Sequence, residues 1–279
     1  MTQIATTSVP APVRAEAEVV QNLHEGGANY RLTLRVTGWP GFEPGQFVML
    51  SAGPQASVPR TDPLLPRPMA VYRTRQQAQG TLVDVLYKRV GRGTALLAQA
   101  LPGQKVGLVG PLGRCFELPG AAERALLVAG GTGIASVYEL AARLVPRVDV
   151  CVLLGAATAQ DLMGVDDFAA LGVELEIATE DGSRGFQGRV TRLLEDALAG
   201  RKPGTTRIYS CGPTGMMRRC AEIAALVGVP CIVSLENQMA CGFGVCLGCA
   251  APLSNGSYAL VCRDGPSFDA STIAWQGLP

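Results

Sequence analysis

Up to about residue 116 the apolar and polar positions alternate in short runs. Residues 31–36 (Arg-Leu-Thr-Leu-Arg-Val), 46–50 (Gln-Phe-Val-Met-Leu) and 81–87 (Thr-Leu-Val-Asp-Val-Leu-Tyr) carry the period of two that half-buries a β-strand. Glycine and proline punctuate them, at Gly38-Trp-Pro-Gly41, Glu43-Pro-Gly45 and Leu101-Pro-Gly103. Short strands with turns at this interval predict a small antiparallel β-barrel, interrupted by one helix over 93–99. From about residue 124 the rhythm changes. A continuous apolar run at 125–129 predicts a buried strand, 148–154 and 173–178 a second and third, and 207–211 a further one. Residues 134–144, 190–199 and 215–227 predict helices between or after them. Strands alternating with helices argue for a doubly wound parallel α/β sheet. No internal repeat is visible.

The expected architecture is therefore multi-domain, β followed by α/β. Residues 1–13, rich in Ala, Thr and Pro, are expected to be disordered. The barrel takes 14–120, the α/β domain 121–230, and a small third segment 231–279. A length of 279 residues allows two or three domains, and 48% apolar residues suffice for their cores. A net charge of +1 argues against nucleic acid or an anionic membrane as partner. No run of eighteen apolar residues offers a spanning helix, and the first twenty residues lack the basic start and apolar run of a signal peptide. A cytoplasmic location is expected. The one histidine, His24, makes neither a metal site nor a triad, so no catalytic side chain is expected. The chemistry has to come from bound cofactors.

The third segment shows which cofactor comes first. It reads Cys241-Gly-Phe-Gly-Val-Cys246-Leu-Gly-Cys249, and Cys262 follows after twelve further residues. C-x4-C-x2-C…C is the spacing of plant-type [2Fe–2S] sites. Four thiolates have to converge on two irons, and the chain between the first three is too short for helix or strand. It must be a loop, and Gly242, Gly244 and Gly248 are expected to take positive φ angles and bring N–H groups near the sulfurs. Structural zinc is the competing reading, although only one C-x2-C knuckle is present. Disulfides fit a total of nine cysteines poorly. Cys115, Cys151, Cys211, Cys220 and Cys231 lie scattered among apolar residues and read as small core residues.

Two further signals lie in the barrel. Arg67-Pro-Met-Ala-Val-Tyr72 sets an arginine just ahead of a proline-stiffened strand, where a guanidinium can meet a phosphate. Gly91-Arg-Gly-Thr94 opens the barrel's helix and offers N–H groups and a hydroxyl to a pyrophosphate, or simply caps the helix through Thr94. In the α/β domain, Gly130-Gly-Thr132-Gly133 and Ser210-Cys211-Gly212-Pro213 each join a strand to a helix. Two glycine turns at the carboxyl edge of a parallel sheet make the crevice where nicotinamide cofactors bind. Glu180-Asp181 would favour the free ribose of NAD and Arg184 the phosphate of NADP, and the sequence leaves the two balanced.

In chain order these motifs resemble the ferredoxin reductase-like flavoproteins, which join an Arg-Pro flavin motif on a barrel to a GGTG turn and a Cys-Gly-Pro strand end. Within them, Ser234-Leu-Glu-Asn-Gln-Met-Ala-Cys-Gly-Phe-Gly-Val-Cys-Leu-Gly-Cys249 and Val261-Cys-Arg-Asp-Gly-Pro-Ser-Phe268 are similar to the iron–sulfur electron-transfer subunits of NAD-dependent dihydroorotate dehydrogenases. The resemblance covers nearly the whole chain from about residue 14. It implies FAD contacts at Arg67, Pro68, Met69 and Ala70, at Leu86, Tyr87 and Lys88, and at Gly93 and Thr94. It implies Cys241, Cys246, Cys249 and Cys262 as cluster ligands. As partner it implies an FMN-containing dihydroorotate dehydrogenase catalytic subunit, two of each chain forming a heterotetramer. Electrons from dihydroorotate would pass through [2Fe–2S] and FAD to NAD+, a step of pyrimidine (UMP) biosynthesis. Related subunits serve sulfide dehydrogenase-like and transhydrogenase-like complexes, and a redox-sensing cluster module is a reading of another class. The chain departs from the family at Ala70, where serine is usual, and at Ser136, where proline is.

Overall fold

The computed structural model describes residues 10–51, 63–119, 124–199 and 206–278. The expected disorder of 1–13 falls outside these as far as residue 9; Val13 already begins a strand. The first half contains β1 (Val13–Gly26), β2 (Asn29–Val36), β3 (Phe47–Leu50), β4 (Arg67–Ala70), β5 (Arg73–Gln77), β6 (Gly80–Lys88), α1 (Arg92–Leu97) and β7 (Lys105–Leu112). All pairings are antiparallel, in the order β4-β3-β7-β1-β2-β6-β5. The two outermost strands, β4 and β5, are separated only by Val71 and Tyr72, and the Tyr72 N–H donates to the Asp84 carbonyl on β6 at 2.8 Å. The chain thereby bends from β3 across to β6 and curls the sheet towards the expected barrel. Its alternating apolar residues, among them Leu32, Leu34, Val83, Val85 and Leu108, meet inside with Trp39 and Phe42.

The barrel helix begins one residue earlier than expected and its cap is Gly91, not Thr94. Thr94 instead lies in the first turn. Its hydroxyl reaches back to accept the N–H groups of Val90 (3.0 Å) and Gly91 (3.2 Å), satisfying donors that precede the helix.

The second half begins with β8 (Arg124–Gly130), α2 (Ile134–Leu144), β9 (Asp149–Ala156), α3 (Val165–Ala170), β10 (Glu174–Thr179) and β11 (Phe186–Gln187). It continues with α4 (Val190–Leu198), β12 (Thr206–Cys211), α5 (Thr214–Val227) and β13 (Cys231–Ser234). These strands run parallel in the order β11-β10-β9-β8-β12-β13. On β8, Leu126 and Val128 pack with α4 and α5, whereas Ala125, Leu127 and Ala129 pack with α2 and α3. Both faces are covered, which is why this strand reads as one unbroken apolar run. The winding reverses between β8 and β12, and that switch point sets the crevice.

The boundary expected at residue 230 is not where the sheet stops. β13 pairs in parallel with β12, and β16 (Ser267–Asp269) returns antiparallel to β13 as the sheet's edge. A four-residue apolar strand is too short for periodicity to assign. The third segment is thus a long excursion from the sheet, carrying β14 (Ala250–Pro252), β15 (Tyr258–Leu260) and α6 (Val261–Asp264). One apolar core joins all three parts: Phe47, Met49 and Leu112 of the barrel, Val233 of the sheet, and Ala251, Leu260 and Val261 of the excursion. Each of these Val, Leu, Met or Phe side chains contributes about 1.5–3 kcal/mol when fully buried. Among the described residues no helix is long and apolar enough to cross a membrane.

Candidate functional site

A cleft of about 1040 Å³ lies between barrel, crevice turns and the start of the excursion. Its barrel wall contains Arg67, Pro68, Met69, Ala70, Leu86, Tyr87, Lys88, Gly93 and Thr94, all the positions singled out for FAD. They play unequal parts. The Arg67 guanidinium passes so close over Gly93 that a Cβ there would sit 2.5 Å from it. Among the described residues Arg67 meets no carboxylate; its Nη1 donates to the Leu65 carbonyl at the cleft's rim. A guanidinium over the cleft with no carboxylate beside it among the described residues suits a ligand phosphate. Tyr87 turns inward, where its hydroxyl donates to Asn22 Oδ1 (3.1 Å) and its ring stacks on Tyr30. Lys88 is ion-paired to Asp161 at 3.2 Å.

The opposite wall brings Thr132, Ser136, Gly212 and Pro213. The glycines of the two turns divide into two kinds. A Cβ on Gly133 would fall 2.3 Å from the Cys211 carbonyl oxygen, and one on Gly212 would fall 2.9 Å from that of Gly130. One on Gly130 would meet Met216 Sδ at 2.9 Å. These three let the turns touch each other. Gly131, at φ +55° with nothing near its missing Cβ, is the open one. The Cys211 thiol is buried behind the wall, its pKa pushed up to about 12 chiefly by that burial, and it donates to Ser136 Oγ at 3.3 Å. The hydroxyl standing at the family's proline position is therefore engaged with the strand end opposite.

Glu236, Asn237, Gln238 and Met239 also line the cleft, and no sequence signal assigned them there. They follow β13 directly. Recognition of Cys231–Ser234 as a parallel strand would have placed them at the same carboxyl edge as the glycine turns. Desolvation among the cleft walls raises the Glu236 carboxyl. At the end of β10, Asp181 accepts from the N–H (3.0 Å) and hydroxyl (2.6 Å) of Ser183, and Glu180, Asp181 and Arg184 are all exposed at that edge.

The four cysteines of the excursion converge as two pairs. Cys249 and Cys262 are buried with their sulfurs 3.2 Å apart. Cys241 and Cys246 lie within hydrogen-bonding reach of each other. Desolvation would raise the Cys241 thiol, but the N–H groups of Cys246, Phe243 and Val245 and the Cys246 side chain bring it down to about 6. Burial, with Cys249 beside it, pushes Cys262 up to about 12. Gly242 (φ +85°) and Gly244 (φ +87°) take the positive φ angles expected of them. Gly248 does not. Leu247 (φ 60°) bears the left-handed turn instead, and a Cβ on Gly248 would lie 3.6 Å from the Cys246 sulfur. Two thiol pairs in a loop lined with N–H groups fit a two-iron cluster better than the closed tetrahedron of structural zinc.

Comparison with known proteins agrees with this geometry. Residues 127–222 match the family model described as oxidoreductase NAD-binding domain, and residues 236–274 the one described as iron-sulfur cluster binding domain of dihydroorotate dehydrogenase B. The chain is 41% identical over 237 residues to the dihydroorotate dehydrogenase B (NAD(+)) electron transfer subunit of Bacillus caldolyticus, covering 83% of this chain and 86% of that one. It is 39% identical over 253 residues to the probable counterpart in Methanopyrus kandleri, covering 90% and 88%. Among solved structures, an NADH-dependent reduced ferredoxin-NADP oxidoreductase of flavin-based electron bifurcation superposes with a TM-score of 0.79 at 28% identity, over 98% of this chain and 92% of that one. The ferredoxin reductase of carbazole 1,9a-dioxygenase shares the fold over 78% of this chain and 67% of its own, with a TM-score of 0.66 at 24% identity.

Proposed function

The chain belongs to the family of electron transfer subunits of NAD(+)-dependent dihydroorotate dehydrogenase B, and on that premise we propose that it links dihydroorotate oxidation in a separate catalytic subunit to NAD+ reduction in its own crevice. One observation carries the reading: the three cofactor sites are contiguous. Gly242, inside the thiol loop, is pressed against Met49, from whose Cγ a Cβ there would lie 2.6 Å. Met49 pairs across the ladder with Pro68 on the strand holding Arg67. That strand's last residue, Ala70, packs against the core of the nucleotide domain, whose turns form the far wall of the cleft. Thiol loop, cleft and crevice follow one another without a gap.

In this reading Cys241, Cys246, Cys249 and Cys262 hold a [2Fe–2S] cluster. Arg67 to Ala70, Leu86 to Lys88, Gly93 and Thr94 hold FAD, and the turns at Gly130–Gly133 and Cys211–Pro213 receive NAD. When bound, a flavin exchanges electron pairs with nicotinamide and single electrons with a cluster, chemistry that no side chain here supplies. Arg67 offsets pyrophosphate charge, and the N–H groups around Cys241 favour its thiolate. NAD+ rather than NADP+ accords with the relatives' names, and Glu180 suits a free ribose hydroxyl. Around the exposed Cys246 the loop presents Phe243 (56% exposed), Val245 (74%) and Leu247 (62%), an apolar collar fitted to an FMN-containing catalytic subunit. Two copies of each chain in a heterotetramer, working in pyrimidine biosynthesis, complete the proposal. A reducing cytoplasm is the compartment where thiols of this kind persist. The 98% coverage by the bifurcating oxidoreductase favours one second reading, a transhydrogenase-like complex with the same cofactors and another partner.

The test is anaerobic titration of the purified chain with NADH, read by visible absorbance and electron paramagnetic resonance. Bleaching of a flavin band with appearance of a reduced [2Fe–2S] signal is expected, and Cys249→Ser should lose the signal and the iron while retaining the flavin. A colourless, zinc-containing protein would end the relay reading. Reduction of the chain by dihydroorotate only when the catalytic subunit is added would separate the first partner from the second.

A further inference from the structure

Among the contacts between the barrel half and the nucleotide half, one carboxylate takes three donors. Asp167, in the first turn of α3, accepts at Oδ2 from the Tyr72 hydroxyl (2.8 Å) and at Oδ1 from Arg73 Nη1 (2.7 Å). Arg31 Nη2 lies 2.8 Å from the same Oδ2. All three donors belong to the barrel half, and the barrel holds them in place by itself. Arg73 Nε donates to Asp84 at 2.8 Å, and Asp84 also receives Arg75 Nη1 at 2.8 Å and the Thr33 hydroxyl at 2.7 Å. Arg31 Nε is paired with Glu25. On the barrel side this sets three guanidinium groups against two carboxylates, so one positive charge faces the interface, and Asp167 balances it. Without Asp167 that surplus positive charge would stay half-buried and unbalanced, which is costly.

The position of the contact matters more than its strength. Tyr72 follows Ala70 by two residues, at the end of the strand that carries Arg67. Its ring is fully buried, lies 4.5 Å from that of Tyr138 on α2, and is covered by the guanidinium groups of Arg31 and Arg73 at 5.2 and 5.4 Å. Helix α2 begins directly after the Gly131–Gly133 turn. Gly164, the residue before α3, has no room for a side chain, because a Cβ would lie 2.7 Å from the Tyr72 hydroxyl. Asp167 therefore ties the strand of the cleft, the helix after the open glycine turn and helix α3 at one point.

We propose that Asp167 is a positioning residue for the nicotinamide–flavin reaction: through Tyr72, Arg73 and Arg31 it fixes the crevice turn relative to the Arg67–Ala70 strand. It touches neither cofactor site itself. The inference rests on the functional reading above, in which a hydride leaves reduced flavin, oxidising it, and passes to NAD+, which is reduced; with NADH the same transfer runs in reverse. A small change in the relation of the two halves then lowers the transfer rate while leaving each site able to bind.

The test compares the unaltered holoprotein with Asp167→Asn and Tyr72→Phe, by anaerobic stopped-flow reduction with NADH and by hydrogen exchange of the α3 amides. In Asp167→Asn flavin and iron contents stay as in the unaltered protein. Its limiting rate of flavin reduction falls about tenfold or more, since misplacement by about 1 Å costs up to a hundredfold. Its NADH half-saturation shifts by less than about threefold, and α3 exchanges faster while β12 does not. Tyr72→Phe keeps the ring and loses one donor, and slows the rate by about two- to fivefold. A limiting rate within about twofold of the unaltered protein overturns the proposal, as does a slowdown that only tracks lost flavin. Should the unaltered protein not respond to NADH at all, the functional reading fails and the exchange data judge the contact alone: α3 exchange unchanged in Asp167→Asn would then overturn it.

Discussion

At Gly133 one hydrogen atom in place of a methyl group decides whether the two crevice turns can meet. The expected cost of Gly133→Ala is about 3 kcal/mol, because the new carbon would collide with backbone that has nowhere to move. Gly131→Ala meets nothing and is charged only for its left-handed φ, about 1 kcal/mol. Urea unfolding of the two variants checks this, and equal losses would show that the turns do not touch as described. The motif marked both glycines in the sequence, yet not their different work. Which glycine faces open space depends on backbone some 80 residues away, at Cys211. The same limit explains Gly248, expected to take a positive φ that Leu247 takes instead. The cysteines are the opposite case. Their spacing is itself a property of the sequence, and their gathering into two pairs follows from a loop with little other choice.

Among the elements, α3 is too short to be noticed in the sequence, and it carries the Asp167 contact between halves. Desolvation would raise the Asp167 carboxyl, but hydrogen bonds from Tyr72 and Arg31 and the charges of Arg31 and Arg73 outweigh it and hold the pKa below its usual value. A group depressed on folding adds stability that is complete above its unfolded value, near 3.9, and is lost as pH falls through the folded one. The unaltered protein should thus exceed Asp167→Asn in stability by about 2 kcal/mol at neutral pH. The difference should shrink progressively below about pH 4, as followed by denaturant midpoints across that range. A constant difference would mean that the ion pairs contribute nothing. The long elements were legible because strands such as β6 and β8 repeat one burial pattern over many residues. β13 was not, and with it the cleft residues Glu236 to Met239 were missed.

For the molecule as a whole, the collar of Phe243, Val245 and Leu247 predicts where a partner sits. Val245→Glu should weaken assembly with the catalytic subunit about tenfold or more by burying a charge, measured by titration calorimetry. NADH should still reduce the variant chain's own flavin and cluster. Unchanged assembly would move the docking surface elsewhere. The shared core of Met49, Leu112, Val233, Leu260 and Val261 has a related consequence, since no cut at residue 230 leaves two intact parts.

The amino-acid order is enough to read the two rhythms of the chain, the barrel followed by the wound sheet, and the identity of the four thiols. These are encoded in periodicity and in spacing along the backbone, which near neighbours carry. Folding in three dimensions settles that β13 and β16 complete the nucleotide sheet, that Tyr87 bonds Asn22 and Lys88 pairs with Asp161, and that Asp167 balances a charge on the barrel. Each of those outcomes depends on groups far apart in the chain, whose pairing is settled by burial and by the need of a buried donor or charge to find a partner.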